Sequence, residues 1–178
     1  MHESKVINIV YNAMFIIMSL ILAFLFGKIS IFPFLKLDFS DMPIFLATLV
    51  SGASSGITVL FIVSFLRSLM FSSAGWIGFL IRITTVIVVI GLDLFWRKKI
   101  KMVYRILGIS FFVILCLIVK LVLNYYFWIN FFGISPYVIN GMLATIILPY
   151  NLLKISGMLV ISFFLEKPLK KLMNKFSL

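Results

Sequence analysis

Histidine, cysteine and acidic residues are scarce in this chain of 178 residues, which contains one histidine, one cysteine and five acidic residues. Because Cys116 is alone, no disulfide can form within the chain, and no cluster of cysteine and histidine is available to hold a metal ion. The sequence also lacks His-Glu-x-x-His and the phosphate-binding Gly-x-x-x-x-Gly-Lys pattern. We therefore expect no catalytic residue, no metal and no cofactor bound by this chain.

Apolar residues, by contrast, are abundant: 63% of the chain is hydrophobic, 12% is charged, and the mean hydropathy is +1.24. Soluble domains carry about 25% charged residues, so this composition indicates an integral membrane protein in a lipid bilayer. At roughly 20 residues per transmembrane helix, the chain has room for five or six helices and for no soluble catalytic domain. Its net charge of +11 comes mainly from basic residues at the predicted membrane boundaries, so nucleic acid is not expected as a partner.

The apolar segments predict an all-α integral membrane protein, a single bundle of six transmembrane helices in one domain, 1–178. The predicted helices are 6–27, 42–51, 55–71, 75–96, 102–126 and 142–165. The first apolar segment is longer than the apolar core of a signal peptide and no cleavage pattern follows it, so we expect a retained helix. The glycine-rich stretch 52–56 separates the second helix from the third. Residues 28–43 and 127–141 are predicted to be connections.

Clusters of basic residues indicate which side of the membrane is cytoplasmic. One cluster lies between the fourth and fifth predicted helices and comprises Arg97, Lys98, Lys99, Lys101 and Arg105. Another follows the sixth helix and comprises Lys167, Lys170, Lys171 and Lys175. With six helices, both termini are then cytoplasmic, and the connection 28–43 faces outward. In that connection Ser40 or Asp41 is expected to cap the second helix, with Pro43 in its first turn.

Apart from Arg105 of the boundary cluster, five charged residues lie within the predicted helices, where charge is costly and is by default a sign of function. They are Arg67, Arg82, Asp93, Lys120 and Lys154. Asp93 and Arg97 stand four residues apart and are expected to pair on one helical face. Arg67 and Lys120 lie near the outer helix ends, where we favour extension of the side chains to the lipid headgroups over a ligand role.

Arg82 and Lys154 lie deeper, where such an extension is unfavourable. We expect them either to bind a ligand or to pair with a carboxylate of the connection, such as Asp38 or Asp41. Asn151 precedes Lys154 by three residues, so both side chains project from one face of the sixth helix. An amide beside an ammonium group offers donors and an acceptor to a planar polar heterocycle.

Other residues near these positions also suit a ligand site. Pro149 removes a backbone donor in mid-membrane, which is tolerated where the backbone borders a polar cavity. Asn124 and Tyr125, at the outer end of the fifth helix, offer amide and aromatic surface, although tyrosine there also fits an interfacial belt. The candidate substrate-binding residues are thus Asn151, Lys154, Arg82, Arg67, Asn124, Tyr125, Asp38 and Lys120.

Small residues recur at intervals of four in two places. Ser19, Ala23 and Gly27 do so in the first helix, and Gly52 and Gly56 between the second and third helices. Such spacing lets another helix approach closely. The neighbouring helix belongs either to this chain or to a partner, and the spacing alone leaves both alternatives open. For the second alternative, the candidate partner-interface residues are Ala13, Ser19, Ala23, Gly52 and Gly56.

Four stretches of the chain together point to a family. They are Leu37-Asp38-Phe39-Ser40-Asp41-Met42-Pro43, Gly52-x-x-x-Gly56, Asn124-Tyr125 and Pro149-x-Asn151-x-x-Lys154. In the same order, they resemble the riboflavin-type S components, the substrate-binding subunits of energy-coupling factor (ECF) vitamin transporters. The resemblance implies a six-helix protein of a bacterial plasma membrane that captures a vitamin from outside, with Asn151 and Lys154 at positions that contact the ligand. It also implies a transmembrane T component and two ABC-type ATPases as partners, which use the ATP and release the ligand inside.

The chain departs from the pattern of this family at three places. Riboflavin-type members carry Lys-Asn on helix 3 and Ala-Asn-Phe on helix 4, where this chain has Phe65-Leu66-Arg67-Ser68 and Ile77-Gly78-Phe79-Leu80. In the small-residue motif that meets the T component, Ala13 is followed by Ile17. Riboflavin and a smaller heterocycle resembling hydroxymethylpyrimidine or pyridoxine are therefore both candidate ligands. A membrane enzyme and a ligand-free structural or pore-forming bundle are the alternatives.

Overall fold

The computed structural model describes residues 2–26, 30–32, 35–36, 39–70, 76–96 and 100–176. Its elements in chain order are α1 (His2–Phe26), β1 (Ser30–Phe32), β2 (Leu35–Lys36), α2 (Met42–Ser51), α3 (Ala53–Met70), α4 (Trp76–Ile83), α5 (Val86–Trp96), α6 (Met102–Phe132), α7 (Pro136–Met142), a π-helical turn (Leu143–Ile147) and α8 (Leu148–Phe176). The bundle is helical, and β1 and β2 form a short antiparallel ribbon in the connection after α1.

Several helical segments in the described part of the chain are long and apolar enough to cross a membrane. They are Val6–Phe26, Ala53–Met70, Trp76–Trp96, Met102–Phe132 and Pro136–Leu172. The apolar helix α2 is shorter, at 10 residues. A multi-pass membrane protein follows from these lengths, because about 20 apolar residues span the hydrocarbon core.

Helix α2 is the innermost helix of the bundle. Its residues 44–47 are fully buried, because α2 packs against α1, α3, α5 and α8. A helix that is buried on all sides needs apolar residues on all sides. The one polar side chain in its middle, Thr48, donates a hydrogen bond to the Ile44 carbonyl (2.9 Å), so its own hydroxyl is paired.

The turn between α2 and α3 depends on two glycines. Gly52 has a φ of 103°, a conformation that favours glycine, and its N–H donates to the Thr48 carbonyl (2.9 Å). At Gly56 an added Cβ would overlap Thr48 Oγ1 and lie 3.0 Å from Val89. Both glycines are buried inside this chain. The assignment of Gly52 and Gly56 to a partner interface is therefore corrected: their small size serves internal packing.

The small residues of α1 serve internal packing as well. Ser19 and Ala23 are buried, with 0% and 3% of their surfaces exposed, and α1 packs on α2 and α3. Their assignment to a partner interface is corrected for the same reason. Ala13 is exposed. Gly27 lies outside the described residues.

The predicted helix 75–96 is interrupted at Thr84 and Thr85, which separate α4 from α5. Thr84 Oγ1 donates to the Ile81 carbonyl (2.6 Å). Such bonds from a threonine to the preceding turn compete with the helical ladder and bend helices. Because of the break, the Thr84 carbonyl and the Thr85 hydroxyl accept hydrogen bonds from side chains of α6.

The connection predicted for 127–141 is mostly helical. α6 continues to Phe132 and ends at Gly133, whose φ of 64° is left-handed. The next helix begins at Pro136, a residue suited to a first helical turn. The chain then continues through the π-helical turn into α8, which ends at residue 176 rather than 165. The π-helical turn lies just before Pro149, whose missing N–H disturbs the regular ladder.

Candidate functional site

The Asp41 carboxylate, directly before α2, is the centre of a buried group of charges. One oxygen pairs with Arg82 Nη2 from α4, and the other lies 3.2 Å from Lys154 Nζ of α8. The Asp41 side chain is 4% exposed, against 12% for Arg82 and 18% for Lys154. Asp41 thus joins the start of the central helix to two outer helices.

Ser40, next to Asp41, binds two arginines. Its Oγ accepts hydrogen bonds from Arg67 Nη1 of α3 and from Arg82 Nη2 of α4, the latter at 2.6 Å. Ser40 has no exposed surface. Because the Ser40 hydroxyl and the Asp41 carboxylate are adjacent in sequence, they hold both arginines at one place.

Lys120 of α6 approaches the same place. Its side chain is 5% exposed, and its Nζ donates to Thr85 Oγ1 (3.2 Å) at the break between α4 and α5. The Lys120 ammonium is attracted by the Asp41 carboxylate and repelled by the Lys154 and Arg82 cations. The expected extension of Lys120 to the headgroups is therefore wrong, because its ammonium is enclosed by protein. Together these side chains form what we call the basic site: Ser40, Asp41, Arg67, Arg82, Lys120 and Lys154.

The structure shows the pairing with Asp41 that was one of the two alternatives for Arg82 and Lys154. It also brings the other two predicted cations, Arg67 and Lys120, to the same site. Capping of α2 by a side chain was the wrong expectation for Asp41, which makes no capping hydrogen bond there. Instead of capping α2, the Asp41 carboxylate forms ion pairs with Arg82 and Lys154 of other helices.

The two predicted amides are engaged along their own helices. Asn151 Nδ2 donates to the Ile147 carbonyl (2.8 Å), which belongs to the π-helical turn. Asn124 Nδ2 donates to the Lys120 carbonyl (2.7 Å), and its Oδ1 accepts from Trp128 Nε1 (3.3 Å). Both amides are thus placed within a turn of a cation of the basic site.

One other candidate, Tyr125, is not brought into this group. Tyr125 is 37% exposed, which fits the interfacial alternative for this tyrosine. Asp38 lies outside the described residues.

Sequence reasoning did not identify Thr85, because a threonine in an apolar helix carries no charge. The one local hint of a helix break is that two threonines, Thr84 and Thr85, follow each other in the sequence.

A second set of polar contacts lies at the other end of α5 and α8. Asp93 Oδ1 accepts from the Ala53 N–H (3.1 Å), so a carboxylate stabilises the N-terminus of α3. Its predicted partner, Arg97, lies outside the described residues. Glu166, which is 7% exposed, accepts hydrogen bonds from Trp96 Nε1 (2.7 Å) and Lys170 Nζ (2.6 Å).

The letters Gly52-Ala53-Ser54-Ser55-Gly56 also fit the Gly-x-Ser-x-Gly pattern of hydrolases. That pattern needs a strand-to-helix turn that presents the serine to a histidine. Here it joins two helices, and the only histidine of the chain is His2. The stretch is therefore a helix junction.

The chemistry of the basic site is that of a set of hydrogen-bond donors. Guanidinium and ammonium groups are donors without acceptor capacity, and Arg binds planar carboxylates and phosphates through two parallel hydrogen bonds. In the described part of the chain no group of three or more His, Cys, Asp or Glu side chains is placed to hold a metal ion. The site is thus suited to the recognition of acceptor groups.

Comparisons with known proteins match the chain to one family of membrane transport components. A family model described as "ECF transporter, substrate-specific component" matches residues 8–166. The riboflavin transporter RibU of Streptococcus thermophilus is 30% identical over 166 residues, which cover 88% of this chain and 79% of that protein. A solved structure of the S component of a bacterial ECF transporter superposes with a TM-score of 0.74 at 24% identity, covering 93% of this chain and 96% of the other.

Proposed function

This chain belongs to the family of substrate-specific components of ECF transporters, and we propose that it captures a small water-soluble vitamin from outside a bacterial cell. The candidate ligands are riboflavin, in view of the similarity to RibU, and a related heterocycle of the hydroxymethylpyrimidine or pyridoxine type. The observation that carries the proposal is the convergence of side chains from α3, α4 and α8 on Ser40 and Asp41. Ionisable groups buried within membrane helices mark substrate sites by default.

We place the basic site in the outer half of the membrane, with six transmembrane helices and both termini in the cytoplasm. Support comes from the exposed basic residues at the opposite end of the bundle, such as Lys101 before α6 and Lys167 and Lys171 in the last part of α8. The positive-inside rule puts that end in the cytoplasm. This total of six transmembrane helices includes the short helix α2.

The energy for transport must come from partners. We propose a T component and two ABC-type ATPases, in keeping with the family, with ATP bound by the ATPases and no cofactor bound by this chain. Of the residues predicted to meet the partner on α1, Ala13 is the one on the exposed side of the helix. Large apolar side chains lie beside it, including Met14 (55% exposed) and Ile17 (56%). This exposed side of α1 is the contact surface that we propose for the T component.

The experiment that tests this function measures thermal stabilisation of the purified chain by a panel of vitamins. A ligand at about 100 times its dissociation constant should stabilise the folded protein by roughly 2.7 kcal/mol. We expect such a shift for one vitamin class. Absence of a shift with every vitamin would contradict the proposal and favour a ligand-free bundle, whereas chemical turnover of a compound by the purified chain would favour a membrane enzyme.

A further inference from the structure

The basic site contains more positive charge than the chain's own carboxylates can balance. Its cationic side chains are Arg67, Arg82, Lys120 and Lys154. The acidic residues of the whole chain are Glu3, Asp38, Asp41, Asp93 and Glu166. Of these, Asp41 is in the site and Asp38 precedes it by three residues.

The remaining three acidic residues occupy positions away from the basic site. Asp93 and Glu166 bind groups at the other end of α5 and α8. Phe26, at the end of α1, contacts the ring of Phe39 beside Ser40, with ring centroids 5.2 Å apart. Glu3 is 23 residues before Phe26 on the same helix, which is about 35 Å at 1.5 Å per residue.

Positive charge therefore exceeds negative charge in each of two counts. With Asp38 counted, two carboxylates face four cations, and with Lys120 left out, two carboxylates still face three cations. The N-terminus of α2 adds partial positive charge at the same place. Buried positive charge in excess of the counter-charge is destabilising, most of all where the bundle excludes water.

We infer that the ligand of the basic site is an anion, a vitamin or vitamin derivative that carries a carboxylate or phosphate group held by Arg82, Lys120 and Lys154. This inference rests on the proposed function, since it names the chemical class of the captured solute. An anionic group removes the charge excess, and it gives the enclosed Lys120 ammonium an acceptor besides the Thr85 hydroxyl. A neutral ligand leaves the excess in place, and a cationic ligand increases it.

The test compares vitamins that differ in a single anionic group. Suitable pairs are riboflavin with riboflavin 5′-phosphate, pyridoxal with pyridoxal 5′-phosphate, nicotinamide with nicotinate, and pantothenol with pantothenate. Dissociation constants for the purified full chain are measured by isothermal titration calorimetry in detergent. We expect the anionic member of the binding pair to bind at least about tenfold more tightly, as for a ligand group that satisfies otherwise unbalanced buried charges.

Two variants separate the basic site from the general positive charge of the protein. Lys120→Met keeps a long side chain but removes the ammonium, and it should weaken the anionic member at least about tenfold and the neutral member by less than about threefold. Lys171→Gln, an exposed lysine in the last part of α8, should change neither. If Lys120→Met does not fold, Arg82→Gln takes its place, and the comparison of paired ligands on the unchanged chain stands by itself.

The possible failures are distinct. Equal or tighter binding of the neutral member of the pair, or tight binding of a cationic vitamin such as thiamine, would overturn the anionic ligand while leaving vitamin capture intact. A preference for the anion that Lys171→Gln abolishes and Lys120→Met leaves unchanged would overturn the role of the basic site. Absence of binding by every compound would overturn both this inference and the proposed function.

Discussion

Lys154 Nζ lies 3.2 Å from Asp41 Oδ2, which ties the middle of the last transmembrane segment to the start of the central helix. Arg82 binds the other oxygen of the same carboxylate. One side chain therefore fixes α4 and α8 against α2. Asp41 is also the last residue of the connection that follows α1, so the same ion pairs hold the end of that connection in the basic site.

The first prediction concerns the stability that these ion pairs provide. Asp41→Asn keeps the shape of the side chain but leaves Arg82 and Lys154 without their shared carboxylate. Breaking a buried ion pair in this way costs about 3–5 kcal/mol. We expect a clearly lower midpoint of thermal unfolding for the detergent-purified variant without ligand.

A double-mutant cycle identifies the pair responsible. Lys154→Met alone and Lys154→Met combined with Asp41→Asn complete the cycle. The double variant should lose less stability than the sum of the single losses, because it also removes one of the stranded cations. Simply additive losses would argue against a pairing between Asp41 and Lys154.

The second prediction concerns the ligand. Lys154→Ala removes an ammonium group of the basic site and should weaken the identified vitamin at least tenfold, or about 1.4 kcal/mol. Lys167→Ala, an exposed position on the same helix, is the matched control and should leave the affinity unchanged. Titration calorimetry measures both. An unaltered dissociation constant for Lys154→Ala would remove Lys154 from the site.

The charged residues in apolar segments were the most informative part of the sequence. Arg82 and Lys154 were expected to need a ligand or a carboxylate, because an isolated charge in a membrane helix is unstable. The structure provides Asp41 for both. The same reasoning placed Lys120 at the headgroups, since distance along a helix does not show whether neighbouring helices enclose a side chain.

The contacts that sequence reasoning missed join residues far apart in the chain. Trp96 and Glu166 are an example: helical periodicity relates residues three or four positions apart and contains no information on pairs between distant helices. Ser40 is another, because its local pattern indicates a helix cap, whereas two arginines from α3 and α4 occupy its hydroxyl. In both cases the hydrogen-bond partner comes from another helix that the packing of the bundle brings close.

The third prediction tests the close packing at Gly56. Gly56→Ala places a Cβ against Thr48 Oγ1, and such overpacking of a core costs about 1–3 kcal/mol. Thermal unfolding should show this loss, and Thr48→Ala in the same chain should recover part of it. The control is Gly157→Ala, where an added Cβ meets nothing within 4 Å. Equal effects of the two alanine substitutions would contradict the close approach.

The fourth prediction tests the contact between α5 and α8. Trp96→Phe keeps an aromatic ring to stack on Phe163 but removes the donor to Glu166 Oε2. The buried carboxylate then lacks one partner, at a cost of about 1–3 kcal/mol. Lys170→Met is the comparison: the Lys170 side chain is 45% exposed, and exposed pairs contribute about 0–1 kcal/mol. A larger loss for Lys170→Met than for Trp96→Phe would contradict this order.

The last prediction uses Cys116, the only cysteine of the chain. It has no exposed surface, and its Sγ donates to the Thr84 carbonyl (3.4 Å) at the break between α4 and α5. A thiol enclosed in this way should react with a membrane-permeant maleimide only after the bundle opens, so the labelling rate should rise steeply at the unfolding temperature. Tyr137→Cys combined with Cys116→Ser supplies a thiol at a 90% exposed position as the control. Labelling of folded Cys116 as fast as the thiol at position 137 would show that α6 does not pack against the break as described.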